Sequence, residues 1–163
     1  MILLGLDPGP DHSGLVVYDC NNAPYVVTAQ ARVRWPDMRT LIRSIEPDIV
    51  VCERTTAGPP SISVVRTTEV VGRVMEFCES INQRFELLPR RDVLSALGVS
   101  ARGAKDAIVR QALIELHGGS QAAALGDKRA PGPLYGVTSH AWSALALCVT
   151  FNLNRGVKYY VPH

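Results

Sequence analysis

Aromatic residues are scarce in this chain of 163 residues, at 6%, and none of its four cysteines forms a C-x-x-C pair. Without paired cysteines a zinc ribbon is excluded as the organising element. A chain of this length can hold a core without disulfides. Cys20, Cys52, Cys78 and Cys148 therefore read as reduced, buried thiols of a cytosolic protein. A basic leader is also missing: Met1 runs straight into Ile2-Leu3-Leu4, so no secretory signal is expected. No apolar stretch is long enough to cross a bilayer. The longest, Ala141 to Leu153, is interrupted by Ser143, Thr150 and Asn152, so no membrane partner is expected. Charge of one sign is not in excess either. Seventeen Lys and Arg against fifteen Asp and Glu leave +2, compatible with a nucleic-acid partner but not an argument for one. There are no repeats and no linker that would split the chain.

What is present is an ordinary globular composition, 47% hydrophobic and 20% charged. It suits one domain over residues 1–155, with 156–163 as a C-terminal tail. Ile2 to Leu6 is an apolar run closed by Asp7-Pro8-Gly9, a strand and its turn. Leu15 to Asp19 and Tyr25 to Val33 are further strands, joined through Asn21-Asn22-Ala23-Pro24, which makes an antiparallel meander. Pro36 opens a helix with Met38, Leu41, Ile42 and Ile45 on its apolar face, and Pro47 stops it. Asp48 to Cys52 is too apolar to be half exposed and reads as a buried parallel strand ending at Glu53.

Ser61 to Asn82 carries apolar residues at helical spacing. Phe85 to Leu88 is a short strand ended by Pro89, 91–97 allows a short helix, and Lys105 to His117 is an amphipathic helix. The Ala-, Gly- and Pro-rich segment 121–135 reads as a long, mobile loop. Thr138 or Ser139 caps a last helix reaching about Asn154. The order is β-β-β-α-β-α-β-α-α when 91–97 is not counted. It predicts an α/β fold with a mixed five-stranded sheet, meander plus parallel strands, flanked by helices.

Two acids occupy equivalent places: Asp7 closes the first apolar strand and Glu53 the fourth. Carboxylates at the ends of central strands lie on the rim of the sheet, where crossing points leave a crevice. If the strands are neighbours, two anions stand a few ångströms apart and repel unless a cation sits between them. Oxygen donors of this kind suit Mg²⁺ or Mn²⁺. His140 falls in the first turn of the last helix, where the partial positive charge of the helix end favours the neutral, metal-binding imidazole.

Together these residues carry a resemblance. Leu4-Gly5-Leu6-Asp7-Pro8-Gly9 with Gly14 beyond it, Ile49 to Glu53, the Gly98 to Gln111 stretch containing Ala104-Lys105, and His140-Ala141-Trp142-Ser143-Ala144-Leu145-Ala146 are similar, in that order, to four landmarks of the RuvC-type Holliday-junction resolvases. They span residue 2 to about 150. Pro131-Gly132-Pro133-Leu134-Tyr135-Gly136 resembles a subgroup found in phage and prophage genomes. The resemblance implies an RNase H-like fold in the cytoplasm of a bacterial cell or phage-infected host. It implies a homodimeric endonuclease that resolves four-way DNA junctions by paired phosphodiester hydrolysis with Mg²⁺ or Mn²⁺. Two ions per site would be held by Asp7, Glu53 and His140, Asp7 bridging them, with Lys105 supporting the scissile phosphate. The homodimer follows from the two-fold symmetry of paired nicks, and the 61–82 helix is the expected dimer element. Arg54, Arg90, Arg91, Arg102 and Lys105 would contact DNA.

The chain departs from that family at two points. The family's second acid on the terminal helix is here Ser143, a poor ligand for a divalent cation, and Asp11 and Asp127 are the candidate substitutes. Residues 140, 143, 144 and 147 share a helix face, so Ser143 is expected to point toward the site. The segment Arg54 to Pro60, where the family carries an aromatic wedge, has no aromatic residue, so the family's base preference does not transfer. Trp35 and Trp142 read as packing residues. Two alternatives stand beside junction resolution: an RNA-processing or flap nuclease of the same fold, and a non-catalytic nucleic-acid-binding protein, which Ser143 brings forward.

Overall fold

The computed structural model describes residues 1–21, 25–55, 61–100 and 105–155. Within them the chain runs β1 (Ile2–Asp7), β2 (Ser13–Asp19), β3 (Tyr25–Val33), α1 (Trp35–Ile45), β4 (Ile49–Arg54), α2 (Ile62–Ser80), β5 (Phe85–Pro89), α3 (Arg90–Ala96), α4 (Asp106–Leu116), α5 (Gln121–Leu125) and α6 (Ala141–Leu153). The five strands form one sheet in the order β3-β2-β1-β4-β5. The meander β1-β2-β3 is antiparallel, and β1-β4 and β4-β5 are parallel. This is the mixed sheet that the sequence predicts, with β1 at its centre.

Strand periodicity sorts the side chains onto two faces. Leu4, Leu6, Val50 and Cys52 point into one core, shared with Met38 and Ile42 of α1 and Val71, Val74, Phe77 and Cys78 of α2. Leu3, Ile49, Val51 and Leu88 point into the other, shared with α3, α4, α5 and α6. The last helix is buried on nearly every side, from Ala141 to Phe151. A helix apolar all round must be enclosed, and α6 is: the sheet covers it below, and α3 and α4 flank it.

Two glycines set how close α6 comes to the sheet. A β-carbon on Gly5 would collide with the Ala144 carbonyl and the Cys148 thiol, and one on Gly14 would collide with the His140 carbonyl. The helix therefore rests its backbone on β1 and β2, with its N-terminal turn above the end of β1.

The structure corrects four details of the sequence reading. Segment 121–135 is not a loose loop. Ser120 caps α5 by accepting from the Ala123 amide, Gly126 and Pro131 form a β-bridge, and Ala124 and Leu134 are fully buried. Apolar Ala124 and Leu134 anchor it despite its turn-rich composition. The short helix at 90–96 is real, so among the described residues four helices follow β5. β4 continues through Glu53 to Arg54, because pairing with β5 extends to Pro89. Finally, neither Thr138 nor Ser139 caps α6: His140 holds the N-cap position without a side-chain cap hydrogen bond, and Ser139 adopts a left-handed backbone (φ 45°) just before it.

Other expectations hold. Ser61 caps α2 through the Val64 amide, the four cysteines are free and buried, and Trp142 is buried under Arg110 while Trp35 packs edge-on against Phe77. Among the described residues no helix is long and apolar enough to cross a membrane. The expected tail, 156–163, lies outside the described residues.

Candidate active site

The site is built from strand parity. Asp7 falls two residues beyond Gly5, and Glu53 two beyond Val51, so both carboxylates project on the α6 face of the sheet. The parallel register Leu6↔Cys52 places the two residues side by side at adjacent strand ends. Their carboxyl groups interact directly, and each shifts the protonation of the other.

Burial dominates the protonation of the pair. Desolvation pushes the Asp7 carboxyl up to about 6, partly opposed by the charge of Arg90 and by hydrogen bonds from Glu53 and Ser143. Desolvation and then the neighbouring Asp7 charge push Glu53 up to about 7, with Arg90 again opposing. Arg90 follows Pro89, whose strand partner is Arg54, so the guanidinium starts next to the Glu53 strand end.

The N-terminus of α6 completes the arrangement. His140 Nδ1 stands 3.7 Å from Asp7 Oδ2, with the imidazole largely exposed. One helical turn on, Ser143 lies close enough to favour the charged form of Asp7, so it does point inward as its helix face predicts. His140 is held there by Gly14, the cross-strand partner of Asp7. Three distant parts of the sequence thus meet at one point: Asp7, Glu53, and the His140–Ser143 turn.

The donor set fits a hard divalent cation: two half-buried carboxylates that cannot both ionise comfortably without positive charge between them, a nearby imidazole and a hydroxyl. The three expected ligands are nevertheless not drawn into a closed cluster. Among the described residues no group of three His, Cys, Asp or Glu side chains is assembled tightly enough to hold a metal ion. Asp7 is the shared member, touching Glu53 on one side and approached by His140 on the other.

Two hollows open beside the pair. One, of about 590 Å³, runs between α4 and α6 and is lined by Asp106, Arg110, Gln111, His140, Trp142 and Ser143. The other, of about 250 Å³, lies toward the start of α2 and is lined by Pro8, Glu53, Arg54, Thr55 and Ser63 among others. Glu53 lines the smaller hollow and His140 and Ser143 line the larger, so the pair lies between two openings.

The remaining expected residues are placed unequally. Arg54 lines the smaller hollow, and Arg90 is half-buried beside the carboxylates. Arg91 is exposed and pairs with its neighbour Asp92. Lys105 is exposed at the start of α4. Arg102 lies outside the described residues. Neither candidate substitute acid is at the site. Asp11 is exposed and 4.0 Å from Arg66, and Asp127 closes its own turn by accepting from the Arg129 and Ala130 amides. The acid that the charge field of the site does contain is Asp106, which acts on both Asp7 and Glu53. Sequence reasoning passed over it because an acid at the first position of a helix needs no other explanation. Its place directly after Lys105 was the available signal.

No protein-family model matches the sequence, and no similar sequence was found among curated proteins. Solved structures do match. Thermus thermophilus RuvC aligns over 95% of both chains with a TM-score of 0.70 at 18% identity. The same protein in complex with a Holliday-junction substrate gives 0.69 at 17%. The yeast mitochondrial Holliday-junction resolvase Ydc2 gives 0.54 at 14% identity, covering 93% of this chain and 77% of its own. The chain thus has the RNase H-like fold of RuvC, and its structural neighbours are Holliday-junction resolvases.

Proposed function

We propose that the chain is a divalent-metal-dependent endonuclease that acts on branched DNA, with four-way junctions as its substrate class. The observation that carries this reading is the buried Asp7–Glu53 carboxyl pair at adjacent strand ends, roofed by the His140–Ser143 turn. A buried acid pair costs stability and is hard to explain as a packing device. Between two openings it has a function: it holds Mg²⁺ or Mn²⁺ against a phosphodiester. The bound ion would supply charge stabilisation and an activated water. Asp7 and Glu53 would hold it, His140 would add an imidazole donor on the exposed side, and Ser143 lies beside Asp7. Arg54 and Arg90 flank the carboxylates and offer guanidinium donors to phosphate oxygens. Lys105 and Arg91 extend that positive rim.

The RuvC structure solved with a Holliday junction supports junction DNA as the ligand. Paired incisions across a junction need two sites related by a two-fold axis, hence a homodimer. The first turns of α2 offer a surface for it: Ile62 and Val65 are exposed there, 76% and 52%, while the buried residues of the helix, Val71, Val74, Phe77 and Cys78, all fall in its second half.

One observation favours a second reading. Ser143 leaves the terminal helix without a carboxylate, so the protein could bind junctions without cutting them. Labelled four-way junction, flap, duplex and RNA substrates, each with Mg²⁺ or Mn²⁺, separate the readings. Cleavage confined to the junction supports resolution, and cleavage of flap or RNA alone redirects the substrate class. Tight junction binding with no cleavage under either metal supports the non-catalytic reading.

A further inference from the structure

Arg90 leaves the sheet directly after Pro89, the strand partner of Arg54, beside the strand ends that carry Glu53 and Asp7. Even so, it is within 4.0 Å of neither. Its Nη2 donates to Asp106 Oδ1 at 2.8 Å, across from α3 to the first residue of α4. The Arg90 side chain is 27% exposed and that of Asp106 is 88% exposed. A guanidinium that could lie against two half-buried carboxylates is instead held at the rim by a solvent-exposed acid.

An exposed ion pair contributes little to stability. Its consequence here is positional. A guanidinium resting on Asp7 and Glu53 would occupy the same oxygens that a divalent cation needs, since both are cations seeking the same acceptors. Arg side chains are long and have several rotatable bonds, so the guanidinium can swing between the pair and the rim. The bond to Asp106 biases it toward the rim.

We propose that Asp106 is a positioning residue that anchors Arg90 beside the Asp7–Glu53 pair, keeping the guanidinium off the metal-binding oxygens and directed toward the phosphate that enters the cleft. This rests on the proposed function, in which the pair binds a divalent cation. Asp106 acts through Arg90 rather than as a ligand: its side chain is turned to solvent, and one carboxylate oxygen is already engaged.

The test is a double-mutant cycle on Mn²⁺ binding by the full chain without nucleic acid, read by electron paramagnetic resonance of free Mn²⁺. Asp106→Asn should weaken Mn²⁺ binding by about tenfold, because the released guanidinium competes for the site. Arg90→Gln should bind Mn²⁺ at least as tightly as the wild type. Adding Asp106→Asn to Arg90→Gln should then change affinity by less than about twofold. Asp106→Glu, which keeps the anchor, should stay near wild type and shows that the helix start tolerates substitution. If Asp106→Asn weakens binding equally in both backgrounds, Asp106 acts directly on the ion and the proposal fails while the metal site stands. If the wild type takes up no Mn²⁺ at all, the metal reading of the pair fails and this proposal with it.

Discussion

Gly14 lies so close to the backbone carbonyl of His140 that no β-carbon fits between them. Because Gly14 is also the cross-strand partner of Asp7, this contact sets the height of the imidazole above the carboxylate. Gly14→Ala should therefore lift the start of α6. We expect a loss of about 1–3 kcal/mol in stability, typical of overpacking, together with weaker Mn²⁺ binding. Gly72→Ala is the control, since a β-carbon there meets open space. Equal metal affinity in the Gly14 variant and the wild type would show that the helix height does not matter to the site.

Proton linkage gives a second expectation. Asp7 and Glu53 titrate near 6 and 7 in the folded chain, against ordinary values of 3.8 and 4.5, mainly because burial penalises their charged forms. The folded state thus holds protons that the unfolded state has released. The stability this contributes is complete below about pH 4 and is lost as pH rises through about 6 to 7. The melting temperature of metal-free protein should fall between about pH 5 and pH 8, and Mg²⁺ should restore it most at the upper end, where both carboxylates are free to bind. Calorimetry with and without Mg²⁺ checks this. A melting temperature indifferent to both pH and metal would leave the acid pair without its assigned role.

Asp7→Asn removes one of two anions facing the substrate phosphate. Junction binding should be unchanged or tighter. Cleavage should fall by about a hundredfold to a thousandfold, the scale of losing a main electrostatic stabiliser. Gel-shift and single-turnover cleavage on the same junction measure the two effects separately.

Ser143→Asp is the converse. It places a third carboxylate where the hydroxyl now lies beside Asp7. Metal-free protein should lose stability near neutral pH through the added repulsion, and Mn²⁺ affinity should rise by about tenfold or more. Lower stability with no gain in affinity would mean that residue 143 faces Asp7 but not the ion.

Val65→Asp tests the dimer. Val65 is half exposed on the uncovered first half of α2, so the change should leave the monomer fold intact. If α2 pairs with its copy, light scattering at micromolar concentration should move from dimer to monomer, because a charge in an apolar interface is strongly unfavourable. Paired incision of a junction should become single nicking.

Much of this protein is local and was legible residue by residue. Continuous apolar runs give β1 and β4, and a carboxylate at the end of each is visible without any structure. Leu4-Gly5-Leu6-Asp7-Pro8-Gly9 and the His140 to Ala146 stretch likewise fall where the sequence reading put them. Such features depend on side-chain parity and turn chemistry, which act over a few residues.

Tertiary packing alone decided the rest. That 121–135 is ordered follows from Ala124 and Leu134 finding the core, which no local composition announces. That Asp11 and Asp127 stay away from the site, while Asp106 lies within its charge field and pairs with Arg90, depends on how α3 and α4 dock beside α6. The sequence by itself determined which acids end the central strands. Only the fold, by resting α6 on two glycines, determined what stands above them, because contacts between residues more than a hundred positions apart are made by packing and not by periodicity.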